Sequence, residues 1–301
     1  MNASGSAARR LSNAGGDAGV EGSVAASAKK AVAPLICALL AIGVGAAVLA
    51  GWLFDAPLLK SLLPGFVAMK ANAALAFVLA GGSLLLLAPA HASLARARAG
   101  RALALAVLLI GALTLGEYVF GWQLGIDELL FSDPGAEAWR SFRGRMALSA
   151  ATAFVLLGLA LLGFDWEPRP GLRPAELLAL LVIILSSIAA IEYAFKYAID
   201  NPFFQYTRMA LHAFIAFSAL GAGVLAARPA QGVLGVIRTR IESPLERRVY
   251  VALGLGLFAL LVAGAAAFFS ARDSVTRAAI EHHSHEVRLQ LVQLLSAYQD
   301  I

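Results

Sequence analysis

Met69-Lys70-Ala71-Asn72-Ala73-Ala74-Leu75-Ala76-Phe77-Val78-Leu79-Ala80-Gly81 opens a long apolar run, and its internal spacing returns twice more along the chain. Met146, Ala153-Phe154 and Gly158 stand at the same offsets, as do Met209, Ala216-Phe217 and Gly221. A fixed spacing inside otherwise plain Leu/Ala sequence marks one structural unit used repeatedly. Each copy begins the second limb of a helical hairpin, so the chain reads as three related hairpins.

With 60% apolar and only 14% charged residues, 301 residues carry more apolar surface than a soluble domain of this size covers. Seven stretches approach the roughly 20 helical residues that cross about 30 Å of hydrocarbon, near 31–53, 69–90, 102–121, 146–164, 174–197, 209–228 and 248–270. None alternates as a lipid-facing barrel strand does, and an open sheet in lipid leaves backbone groups unpaired. The expected fold is all-α: a polytopic membrane bundle of seven transmembrane helices, three hairpins plus one, with a C-terminal extracytoplasmic helix. The expected divisions are a disordered tail at 1–30, a six-helix module at 31–247, the seventh span at 248–270 and an external segment at 271–301.

More than half of the 24 Lys and Arg residues lie in the N-terminal tail and in the second, fourth and sixth connections. The positive-inside rule then places the N-terminus in the cytoplasm and the C-terminus outside a bacterial inner membrane. The net charge of +5 comes mostly from these flanks, next to lipid and without interleaved stacking aromatics. Membrane lipid is therefore the expected partner, and nucleic acid is not. Residues 1–28 hold too few large apolar side chains to offset their ordering entropy. The apolar run behind Lys29-Lys30 exceeds a signal-peptide core, which favours an uncleaved anchor. Cys37 is the only cysteine and sits in the first span, which excludes an intrachain disulfide and a thiolate metal cluster.

The outer ends of the hairpins carry Gly51-Trp52-Leu53-Phe54, Glu117-Tyr118-Val119-Phe120-Gly121-Trp122 and Glu192-Tyr193-Ala194-Phe195-Lys196-Tyr197. Rings with a polar edge favour the boundary between acyl chains and water, so these form a belt. The same residues, Trp52, Trp122 and Tyr197 among them, also fit an aromatic-lined site open to the outer leaflet. Glu117 and Glu192 end one helix, while Arg145 and Arg208 start its partner at similar depth, and the first unit has Lys70 there. Ionisable groups inside spans pair, snorkel or mark a functional cavity, so these are expected either to pair or to sense a ligand or proton.

Three positions after each repeat Met stand Asn72, Ser149 and His212, equivalent polar positions expected near the outer end of the bundle. A hydrolase is disfavoured, because Ser149 lacks a nucleophile turn. So is a bis-His haem, because His91 and His212 fall at opposite ends of their spans. No phosphate-binding glycine loop occurs, so neither a cofactor nor a catalytic group is expected. Gly81, Gly158 and Gly221, one turn beyond each Phe, form a packing seam of small residues.

From 273 onward charged and apolar groups alternate, and Val287, Leu291, Leu294, Tyr298 and Ile301 make the stripe of a coiled coil. Such a helix outside the membrane needs a partner, which implies a homodimer. His282, His283 and His285 share this tail, but one helix face supplies only two metal ligands, so no metal is expected.

The unit Leu63-Pro64-Gly65-Phe66-Val67-Ala68-Met69-Lys70-Ala71-Asn72-Ala73-Ala74-Leu75-Ala76-Phe77, with its echo Arg145-Met146-Ala147-Leu148-Ser149-Ala150-Ala151-Thr152-Ala153-Phe154, resembles the multi-span input regions of bacterial sensor histidine kinases and diguanylate cyclases. His283-Ser284-His285-Glu286-Val287-Arg288, followed by Leu294-Leu295-Ser296 and Asp300, resembles the opening helix of a CHASE3 extracellular sensory domain. The resemblance implies a membrane-embedded sensory module, part of a larger receptor whose transmitter lies elsewhere, and implies no enzyme activity in these residues. A small-solute transporter or channel is the alternative, since internal repeats with intramembrane charges also fit that class. The candidate sensing residues are Trp52, Lys70, Asn72, Glu117, Trp122, Arg145, Ser149, Glu192, Tyr197, Arg208 and His212, for a ligand of unknown identity.

Overall fold

A computed structural model describes residues 32–61, 67–90, 92–132, 144–194, 209–229, 231–232 and 235. The tail at 1–30, the seventh span at 248–270 and the segment 271–301 lie outside the described residues.

The described residues are all-helical, with one isolated bridge between Arg169 and Leu172 and no strand. Helix α1 is Val32–Leu53, α2 is Pro57–Ser61, α3 is Ala71–Leu87 and α4 is Leu94–Phe120. Helix α5 is Leu148–Leu162, α6 is Pro174–Ala194 and α7 is Leu211–Ala227. Pro57 and Pro174 open their helices, where a missing N–H costs no hydrogen bond. Ser93 accepts from the Arg96 N–H and starts α4 eight residues before the expected span, so the helix runs through the basic stretch Arg96–Arg101. Gly121 ends α4 in the left-handed region, at φ 68°.

Helices α1 with α3, α4 with α5, and α6 with α7 make the three hairpins. Helices α3, α5 and α7 touch one another at the centre. There Phe77, Phe154 and Phe217, the repeat phenylalanines, are wholly buried against each other. Their ring centroids lie 4.8 Å (77–154), 4.6 Å (77–217) and 4.6 Å (154–217) apart, in tilted or edge geometry that suits aromatic quadrupoles. One ring from each repeat thus closes the axis.

The repeat glycines face outward from this triad onto the other limb of their own hairpin. A Cβ on Gly81 would come within 2.6 Å of Ile42, one on Gly158 within 2.8 Å of Leu108, and one on Gly221 within 2.6 Å of Ile183. Ile42, Leu108 and Ile183 are therefore equivalent, which fixes the register of the first limbs. The same register aligns Gly45, Gly111 and Ser186 on the seam. At the helix end it aligns Gly51, Glu117 and Glu192, followed by Trp52, Tyr118 and Tyr193.

Two helices, Val32–Leu53 and Leu94–Phe120, are long and apolar enough to cross a membrane. The inner helices are shorter than their hydropathy segments, 17, 15 and 17 residues, or roughly 22–26 Å of rise. Large apolar side chains left exposed belong mainly to the outer helices: Leu35, Ile36 and Leu39 on α1, Leu105, Leu109 and Leu113 on α4, and Leu177, Leu181 and Ile184 on α6. Below, the end where α3, α5 and α7 begin is the Met end, and the opposite end is the Arg end.

Candidate functional site

At the Met end the first two hairpins share one hydrogen bond. The Trp52 indole N–H donates to the carbonyl of Met69, and the Tyr118 hydroxyl donates to the carbonyl of Met146, both at 2.9 Å. Trp52 and Tyr118 thus tie the end of the first limb to the residues before the second in these two hairpins. Helices α3, α5 and α7 all start without a side-chain cap.

One residue earlier the hairpins part. Hairpin 1 has Gly51, against which α2 packs so closely that a Cβ would sit 2.7 Å from that of Leu59. Hairpin 2 has Glu117, whose side chain is wholly buried. Its Oε1 accepts the Leu124 N–H at 2.9 Å, and its Oε2 lies 3.4 Å from Arg145 Nε, so the acid and base expected to pair do meet. Arg145 Nε donates to Asp127 Oδ2 at 2.8 Å, Nη2 donates to the Trp122 carbonyl at 3.4 Å, and the guanidinium lies over the Tyr118 ring. Gly144 makes this approach possible. It sits at φ 69°, and a Cβ there would fall 2.7 Å from the Asp127 carbonyl oxygen. Burial raises the Asp127 carboxyl most, the Arg145 hydrogen bond and charge lower it, and the Glu117 charge raises it, leaving it at about 6.

Trp122 is exposed and stacks on Phe120 at 4.7 Å, and Trp52 stacks on Phe131 of the α4–α5 connection at 6.2 Å. Lys70, at the N-cap of α3, is half-buried. Asn72 and His212 are buried and Ser149 is half-buried, all three one residue inside their helices. Each stands five residues before its triad Phe, about 140° around the helix, so the three point away from the axis. Ser83, eleven residues after Asn72 on the same stripe, donates to the Gly100 carbonyl of α4 at 2.8 Å, and Gly223, eleven after His212, packs on Cys37 of α1. These stripes place Asn72 on the side of α3 that faces α4 and His212 on the side of α7 that faces α1. Asn72 Oδ1 accepts the Ala73 N–H, while Asn72 Nδ2 and both His212 ring nitrogens are buried without hydrogen-bond partners. Glu192 falls in α6 with its side chain outside the described ones, and Tyr197 and Arg208 are outside the described residues.

Asp127 was not legible in the sequence, and neither was the Arg end. There Arg228 donates to the Leu87 and Ala88 carbonyls at the end of α3 and pairs with Asp165 at 2.9 Å. Arg173, fully buried, donates to the Phe164 carbonyl beyond α5 and to the Val224 carbonyl of α7, and lies 3.6 Å from Glu176. Both guanidiniums lie about 5 Å from the Phe164 ring. Cations on the terminal carbonyls of three parallel helices offset the negative ends of their dipoles. These arginines, counted in the sequence only as topology signals, hold the inner helices together. No known protein family matches the chain, and neither a curated protein nor a solved structure is similar to it.

Proposed function

We propose that the chain is the membrane-embedded input module of a bacterial signal-transduction receptor of the histidine kinase or diguanylate cyclase type. It crosses the inner membrane seven times, keeps its N-terminus in the cytoplasm, and acts by shifting helices rather than by catalysis. The observation that carries this reading is the contrast between the Phe77–Phe154–Phe217 plug on the axis and the unlike chemistry at the Met end. A plugged axis counts against an open central pore. Apolar side chains exposed around all three outer helices suit contact with lipid, since an apolar surface of this extent in water drives association. Glycine seams within each hairpin let backbones approach and slide, and homodimerisation through 271–301 would carry such a shift onward.

The test joins the chain in frame to a histidine-kinase transmitter and measures autophosphorylation in membranes. Glu117→Gln and Asp127→Asn should change the output at unchanged protein level, and a periplasmic reporter placed after Ile301 should be active. Unaltered phosphorylation in both variants, or reporter activity only in the cytoplasm, contradicts the reading. Substrate flux into vesicles carrying the chain would support the transporter alternative instead.

A further inference from the structure

Two carboxylate oxygens of the trio beyond α4 are buried without a hydrogen-bond donor. Arg145 Nε has a single N–H, which goes to Asp127 Oδ2 at 2.8 Å. Glu117 Oε2, 3.4 Å from that nitrogen, accepts no hydrogen bond. Asp127 Oδ1 also accepts none, although its side chain is only 9% exposed. Because both carboxylates lie against the same nitrogen, they are close neighbours. Among the described residues, two acids against one guanidinium leave one negative charge in excess at buried side chains, which is costly. A proton on one acid cancels that charge and offers a donor to the other.

We propose that Asp127 and Glu117 form a proton-binding site, in which a proton from the solution at the Met end binds Asp127 and switches the trio between charged and neutral states. This rests on the receptor reading and names its stimulus as acidity. Among the described residues, the charges that act on Asp127 are Arg145 and Glu117, with Glu128 next in the chain and the Tyr118 ring under the guanidinium. The carboxyl titrates at about 6, a range that solution pH reaches readily.

The switch has a route to the inner helices. Arg145 directly precedes Met146, and Gly144 is wedged against the Asp127 backbone, so a weaker hold of Asp127 on Arg145 is felt where α5 begins. Hairpin 1 cannot do this, because Gly51 replaces the acid and Asp55 is out in solvent.

The test is infrared difference spectroscopy of the full chain in lipid nanodiscs, titrated from pH ~8 to ~5, a window above the range of ordinary exposed carboxylates. A protonated-carboxyl band should grow with a midpoint near 6 and vanish in Asp127→Asn. Glu117→Gln, which removes the neighbouring charge, should lower the midpoint by about one unit; it also serves if Asp127→Asn does not fold. A band that persists unchanged in Asp127→Asn, or a midpoint that Glu117→Gln leaves in place, overturns the proton site. A titration as expected, alongside a transmitter fusion whose output is flat across the same pH range, keeps the site and sinks the receptor reading.

Discussion

Hairpins 1 and 2 share a scaffold and differ in chemistry. Their seams superpose residue for residue, Gly81 on Ile42 and Gly158 on Leu108, and both tie their ends by an aromatic donor on the Met carbonyl. At the next position one has Gly51 and the other Glu117. Hairpin 1 keeps its charges in water: Lys60 pairs with Asp55 at 2.6 Å, over the Trp52 ring, and holds that exposed carboxyl below its usual range. Hairpin 2 buries Glu117, Arg145 and Asp127 together, and burial pushes Asp127 upward. Packing is what the repeat conserves within this chain, while ionisable groups are free to specialise one unit.

The largest effect that separates the two hairpins is expected from Arg145→Met. It leaves two carboxylates buried without their cation and should lower stability by about 3–5 kcal/mol, measured by denaturant unfolding in detergent micelles. Gly158→Ala tests the shared part. Forcing a methyl against the Leu108 backbone should cost about 1–3 kcal/mol, and Gly81→Ala and Gly221→Ala should cost comparable amounts if the seams are equivalent.

The pH profile gives a smaller contrast. Asp127 titrates near 6 in the folded chain and near 3.8 when unfolded, so the unfolded state releases its proton first. Its stabilising contribution is therefore complete below about 4 and is lost as pH rises through 6. Thermal unfolding followed by circular dichroism should show a midpoint that falls across that window, with the fall reduced in Asp127→Asn. Lys60→Ala should give the smallest effect, a melting temperature unchanged within error, because a pair with one partner in solvent is well screened.

The repeat was legible because packing imposes spacing. Gly81, Gly158 and Gly221 must each admit another backbone, so the sequence carries the period openly, and most helix limits followed from hydropathy to within a few residues. Helix α4 was the exception, since Ser93 caps it ahead of a charged turn that hydropathy excludes. The short α2 has no periodicity to announce it. Asp127 was illegible for a related reason. It reaches Arg145 at a sequence separation of 18, through a close approach that depends on the backbone of Gly144. Arg173 and Arg228 looked like flank charges because their acceptors are main-chain carbonyls, which leave no mark in side-chain patterns.

The threefold meeting of α3, α5 and α7 is tested most directly by cysteine pairs at 77 and 154, 154 and 217, and 217 and 77. Each is made in a Cys37→Ala background and treated in native membranes with a short bifunctional thiol reagent. With the ring centroids of the three phenylalanines 4.6–4.8 Å apart, all three pairs should cross-link with similar yield. Failure of any one pair, while the other two react, would place that helix off the axis and contradict the equivalence of the hairpins.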